Sequence, residues 1–241
     1  MRRLVFSVVA LLLATTAFSQ TICIDPGHPS EVGSGTKGKK LTELSLAWQL
    51  AKRLEKKLLE VGYKVVLTKK SEKEFVTNKA RALIANQAGA ALSVRLHADA
   101  GTGTGFAVYY PDRQGKVDGV TGPAIPLLRK IRPMASTFHR IFASTLRGEL
   151  KDNGLKPDKA TAVGAKHGAL KGSIYSTVPV VLVEMCVLQN PKDEAWISQP
   201  ANQDKMAEAL AQATMQAVGK VPRKKRFPLQ YGNIRTDGKP L

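Results

Sequence analysis

The run Val180-Val181-Leu182-Val183 constrains this chain more than any other stretch. It is almost wholly β-branched, with no alternation of polar and apolar residues. A strand of that kind has no face to show to water, so it belongs in the middle of a sheet covered on both sides. A carboxylate, Glu184, follows it directly. Two further short apolar strands end in the same way, on a residue with chemistry to offer. Thr21 to Ile24 runs into Asp25-Pro26-Gly27-His28, where a Pro-Gly turn delivers an imidazole, and Leu92 to Leu96 ends on His97.

Helical patterns alternate with these strands. Leu44, Ala47, Leu50, Ala51, Leu54 and Leu58 recur at helical spacing, with Lys52, Arg53, Lys56 and Lys57 opposite them. Thr42 is a good N-cap, which places Glu43 in the first turn, and Gly62 is a natural stop. A strand follows at Tyr63 to Thr68. A second helix is expected from Thr77, with Ala80, Leu83, Ile84 and Ala88 apolar, ending at Gly89. After the His97 strand another is expected at Gly105 to Tyr110. This order predicts an α/β fold, an open, mostly parallel twisted sheet with helices on both faces. In such sheets ligands bind outside the carboxyl ends of the strands.

The remainder is less regular. Pro123, Pro126 and Pro133 break up residues 111–133, which read as a long basic surface loop with room for a short helix. A helix is expected from Ala135 to Leu150, with Phe138, Ile141, Phe142 and Leu146 inward. Asp152 to Gly172 reads as loop. A short helix at Asp193 to Ile197 and an amphipathic one at Asn202 to Val218 close the domain.

The two ends lie outside this pattern. Residues 1–19 carry Arg2 and Arg3, an apolar core from Leu4 to Ala14, and Ala17-Phe18-Ser19, the layout of a secretory signal peptide cleaved before Gln20. The domain is then expected over 20–220, with a basic flexible tail over 221–241. Lys and Arg number 37 against 19 Asp and Glu, a formal charge of +18. For an exported chain a nucleic-acid partner fits poorly; anionic envelope polymers or an anionic membrane surface fit better. No run after the leader is long enough for stable membrane insertion. Cys23 and Cys186, the two cysteines, are compatible with one disulfide in an oxidising compartment or with two buried thiols.

Two imidazoles and two carboxylates at element ends suggest a zinc hydrolase. Such enzymes commonly keep three protein ligands and one open position. His28, Glu43 and His97 are the candidate ligands to one zinc ion. Glu184 is the candidate carboxylate for proton transfer, since a carboxylate after four apolar residues is costly unless used or paired. Asp25 is a candidate to orient an imidazole from behind. His139, on a helix, and His167, in a Gly-rich loop, are not expected to be ligands, with His167 the nearer to the pocket.

The chain resembles the zinc-dependent N-acetylmuramoyl-L-alanine amidases of the amidase-3 type. The resemblance covers roughly Thr21 to Val218 and rests on motifs in order. They are Ile24-Asp25-Pro26-Gly27-His28; Leu41-Thr42-Glu43; Gly62-Tyr63-Lys64-Val65-Val66-Leu67-Thr68; Ala80-Arg81-Ala82-Leu83-Ile84-Ala85-Asn86; Leu96-His97-Ala98-Asp99; and Val181-Leu182-Val183-Glu184 with Gln189-Asn190-Pro191. It implies one zinc held by His28, Glu43 and His97, with Glu184 as general base. It further implies peptidoglycan as partner and substrate, cleaved between muramic acid and the L-alanine of the stem peptide. A monomer in the periplasm or outside the cell is expected; an activator protein is left open. The chain departs from the family pattern at Pro29, Lys69, Arg95-Leu96, Asp99 and Met185-Cys186-Val187, none of which removes a ligand or the base. Two other readings stay open: another zinc peptidase or deacetylase of the envelope, and an inactive glycan-binding module.

Overall fold

The computed structural model describes residues 20–219. The signal peptide read at 1–19 and the tail read at 221–241 lie outside the described residues. The chain order is β1 (Thr21–Pro26), α1 (Glu43–Glu60), β2 (Lys64–Leu67), α2 (Asn78–Gln87), β3 (Leu92–Asp99), β4 (Phe106–Tyr110), β5 (Gly115–Val117), β6 (Val120–Gly122), α3 (Ile125–Thr145), β7 (Asp152–Pro157), α4 (Ala162–His167), α5 (Lys171–Ile174), β8 (Val180–Val187), α6 (Pro191–Ile197) and α7 (Pro200–Val218).

Six strands form one sheet in the order β2-β1-β3-β8-β4-β7. All neighbours are parallel except β4 against β8. The β-branched strand β8 sits inside the sheet, as its composition requires. Helices α1, α3 and α7 pack together on one face, and α2 and α5 lie against each other elsewhere. The main core joins Leu46, Leu50, Leu54 and Leu58 of α1 to Ile22, Ile24, Val94, Val181 and Val183 of the sheet, and to Phe138, Phe142, Met206 and Leu210 of α3 and α7. Phe142 stands edge-on to Phe106, with ring centroids 5.0 Å apart.

Residues 111–133 are not a long loop. They form the β5–β6 hairpin and then the first turns of α3. The prolines do not prevent this. Pro126 lies in the first turn, where a missing N–H costs nothing. Pro133 lies inside the helix, but on its exposed face, while Ile131, Ala135 and Phe138 hold the other face in the core. Burial of that face outweighs the lost hydrogen bond, so α3 begins ten residues earlier than the sequence pattern suggests. Residues 152–157, read as loop, form the edge strand β7 beside β4. Its sequence, Asp-Asn-Gly-Leu-Lys-Pro, has no apolar alternation, because an edge strand needs little of it.

Helix α2 is also turned relative to expectation. Leu83 is exposed, and the buried face carries Asn78, Arg81, Ala82 and Ala85. The reason is Asp25, which is buried on β1. One carboxylate oxygen accepts from Arg81 at 2.7 Å and from Thr68, and the other accepts from Arg95 at 2.8 Å. Burial works to raise the Asp25 pKa, but the two guanidiniums and the Thr68 hydroxyl outweigh it and hold the carboxyl well below the usual carboxylate range. In Asp25→Ala two buried guanidiniums lose their counter-charge, a change that typically costs about 3–5 kcal/mol; chemical denaturation measures it. Because the folded pKa is depressed, this contribution is complete above the ordinary Asp value near 4 and is lost as pH falls through the folded value. The wild type therefore loses more stability than Asp25→Ala does on acidification.

Both cysteines are buried free thiols. Cys23 packs with Ala85, Ala90 and Val178, whereas Cys186 belongs to the main core. The chain holds them in separate clusters, and no disulfide joins them. No described helix is long and apolar enough to cross a membrane.

Candidate active site

Three elements converge at the carboxyl ends of β1 and β3. His28 follows β1 by two residues. Its φ is +52°, in a region that non-glycine residues seldom occupy. The turn is held from below: Arg81 donates to the carbonyls of Pro26 and Pro29, and the buried Lys69 ammonium donates to the carbonyl of His28. Asp25 reaches neither imidazole directly. It acts one step further back, by fixing Arg81, which shapes the turn. Glu43 opens α1 as expected, with the Thr42 hydroxyl accepting from the amide of Ser45 at 3.2 Å. His97 lies within β3.

The three side chains meet at one carboxylate oxygen. Oε1 of Glu43 lies 3.3 Å from Nε2 of His28 and 2.9 Å from Nδ1 of His97. The two rings are edge-on, 5.2 Å between centroids. Among the described residues these three form the group whose ligand atoms all lie within 4.8 Å of one another. Neither His139 nor His167 belongs to it. His139 pairs with Asp152 at 2.9 Å, at the far end of α3.

Two of the three ligand candidates are held from behind. His28 Nδ1 donates to the carbonyl of Gly33 at 2.9 Å, which leaves Nε2 as the bare nitrogen facing Glu43. Oε2 of Glu43 accepts from the amide of Thr36 at 2.8 Å. Burial pushes the Glu43 pKa up, but the two imidazoles outweigh it and hold the carboxyl well below its usual range. Burial pushes the His28 pKa down, but the Glu43 contact leaves it raised; for His97 burial wins and the pKa is lowered.

Glu184 stands beside this cluster. It lies inside β8 rather than at its end, because β8 runs on to Val187. It is the register partner of His97 on one side and of the small Ala107 on the other. Its Oε2 and the Nε2 of His97 are two of four buried side-chain polar atoms without a hydrogen-bond partner among the described residues. Burial raises the Glu184 pKa well above normal, and the charges of Glu43 and Asp99 raise it further. Two carboxylates crowded against two imidazoles, with polar atoms left over, call for a cation in the same space. The donor set of two histidines and one glutamate is one that catalytic zinc uses, so the residues fit the metal.

Two glycines make room for the cluster. A Cβ on Gly27 would lie 2.6, 2.8 and 2.9 Å from three atoms of the His97 ring, and one on Gly35, where φ is +83°, would lie 2.6 Å from Oε2 of Glu43. Gly27→Ala is expected to displace the His97 ring and weaken zinc binding while the far-ultraviolet circular dichroism stays unchanged; a zinc titration of the metal-free protein reads the difference.

Some functional support was missed in the sequence reading. The sequence around Arg81 carries no local sign of its role. Asp193 and Glu194 stand in the first turn of α6, where the dipole favours acidic residues without any further role. Their long-range partners, the amide of Gly105 and those of residues 39–41, carry no local signal.

An open α/β sheet with a two-histidine, one-glutamate cluster and a free carboxylate at its strand ends is the arrangement of a metal-assisted hydrolase. The amidase-3 family model, described as N-acetylmuramoyl-L-alanine amidase, matches residues 22–216, and the chain belongs to this family. It is 28% identical over 210 residues to the N-acetylmuramoyl-L-alanine amidase LytC of Bacillus subtilis, covering 86% of this chain and 37% of that protein. It is 25% identical over 225 residues to AmiA of Escherichia coli, covering 81% of this chain and 75% of that protein. The chain thus spans little more than a third of the first relative's length. Among solved structures, the Clostridium difficile 630 amidase superposes with a TM-score of 0.65 at 25% identity, covering 82% of this chain and 96% of that one. Ami1 from Mycobacterium smegmatis gives 0.68 at 22% identity, covering 83% and 97%, and supports the fold.

Proposed function

We propose that this chain is an exported zinc hydrolase that cleaves the amide between the lactyl group of N-acetylmuramic acid and the L-alanine of peptidoglycan stem peptides. The observation that carries the reading is the convergence of His28 Nε2 and His97 Nδ1 on one oxygen of Glu43, with Glu184 next to them. Family membership supplies the bond that is cut. His28, Glu43 and His97 would hold the ion. Zinc, when bound in such a site, polarises an amide carbonyl and makes water nucleophilic near neutral pH.

The chain's own residues do the rest. Glu184 takes a proton from the attacking water as the new C–O bond forms, and passes it to the nitrogen as the C–N bond breaks. The products are a muramic acid carboxylate and a stem peptide with a free L-alanine amine. A proton carrier must be fixed beside the reacting atoms. Glu184 meets that need because its backbone is locked between β3 and β4. The leader at 1–19 accounts for export.

The test is digestion of purified peptidoglycan by the mature chain, with products identified by mass spectrometry. Stem peptides with a new N-terminal alanine, lost on chelation and restored by zinc, are expected. Cleavage within the peptide or release of acetate instead would replace this reading with a peptidase or deacetylase.

A further inference from the structure

Helix α6, directly after β8, carries adjacent carboxylates that reach in different directions. Glu194 is buried and accepts three consecutive backbone amides, those of Lys39 at 3.1 Å, Lys40 at 2.6 Å and Leu41 at 3.0 Å. The backbone at Gly38 approaches so closely that a Cβ there would lie 2.3 Å from Oε1 of Glu194. The loop it grips is tied into the start of α1. Gly38 donates to the carbonyl of Leu41 at 2.9 Å, and Glu43 donates through its amide to the carbonyl of Thr36 at 2.9 Å. The amide of Thr36 in turn holds Oε2 of Glu43. Asp193 grips the sheet instead. It accepts from the hydroxyl of Thr104 and the amide of Gly105, both at 2.6 Å, and from the amide of Val187 at 3.0 Å, three residues beyond Glu184.

We infer that Glu194 is a positioning residue for the Glu43 carboxylate, and that the Asp193–Glu194 pair ties the loop leading into Glu43 to the strand bearing Glu184. This rests on the zinc reading above. The loop Thr36 to Lys40 holds one glycine and three exposed lysines and buries none of its side chains fully. One carboxylate taking three amides defines it through the backbone, whatever the side chains do. The other end of α6 is tied separately, where Trp196 donates to Glu149 at 2.9 Å.

The experiment is a zinc titration of the metal-free full chain against a competing chelator, with thermal unfolding in parallel. Glu194→Ala is expected to weaken zinc binding about 10–100-fold, the range for residues that orient a ligand. Glu194→Gln keeps one oxygen for the loop amides and is expected to restore part of that loss. Glu149→Ala, which cuts the other tether of α6, is expected to lower the unfolding temperature and leave zinc affinity unchanged. Glu194→Ala behaving like Glu149→Ala would overturn the inference. If the alanine variant does not fold, Glu194→Gln decides: affinity below wild type supports the role, and wild-type affinity overturns it. Failure of the wild type itself to bind zinc would remove the zinc reading and this inference together, whereas wild-type binding with unchanged variants removes the inference alone.

Discussion

Glu184→Gln is expected to abolish measurable hydrolysis of peptidoglycan while zinc remains bound. The substitution keeps the shape of the side chain between His97 and Ala107. It takes away only the ability to accept and return a proton. Positioned general acid–base groups typically contribute about 10²–10⁴-fold to rate, so the loss should fall in or above that range. Stability should move the other way or not at all. Burial raises the pKa of the wild-type carboxylate, Glu43 and Asp99 raise it further, and its Oε2 has no hydrogen-bond partner among the described residues. Replacing it with a neutral amide relieves that crowding. Product analysis, zinc content and thermal unfolding of the same preparation check all three points. Wild-type rates in Glu184→Gln would mean that another group moves the proton.

His97→Ala is expected to have the second large effect, on binding rather than on the chemical step. The ring is one of three partners of Glu43 Oε1, with His28 and the amide of Ala98, and closes the cluster on the β3 side. Without it only His28 and Glu43 remain as ligands. Zinc affinity should fall by more than the about 10–100-fold seen when an outer-shell partner is lost. Activity should fall with it and should not return at moderate zinc excess. The fold should survive, because β3 is held on both sides by β1 and β8. Zinc affinity equal to wild type would remove His97 from the ligand set.

What could be read from the sequence divides along physical lines. The β-branched run of β8 and the leucine spacing of α1 are local patterns with one low-energy solution, and they specify the sheet centre and its covering helix. His97 and Glu184 were legible because each follows an apolar run, where a polar group costs free energy unless it is used; His28 was marked by the Pro-Gly turn before it and Glu43 by its place in the first turn of α1. The misreadings came from contacts distant in sequence. Nothing near Pro133 reveals that Ile131, Ala135 and Phe138 will be buried strongly enough to carry a helix past it. Nothing near Arg81 says that it, rather than Leu83, turns inward. That depends on Asp25, 56 positions away in the chain. Strand β7 is defined by its neighbour β4 and hardly by its own residues. The support given by Asp193 and Glu194 is of the same kind, since apart from the Thr104 hydroxyl it consists of backbone amides.

The most direct test of the account is crystallographic: anomalous diffraction measured on either side of the zinc absorption edge, from crystals of the mature chain grown with zinc. The account predicts one strong peak bonded to His28, Glu43 and His97, with Glu184 facing it unbonded. A peak elsewhere, or none at this cluster while His28 and His97 keep their hydrogen bonds to Glu43, would contradict it and leave the cluster as a structural ion pair.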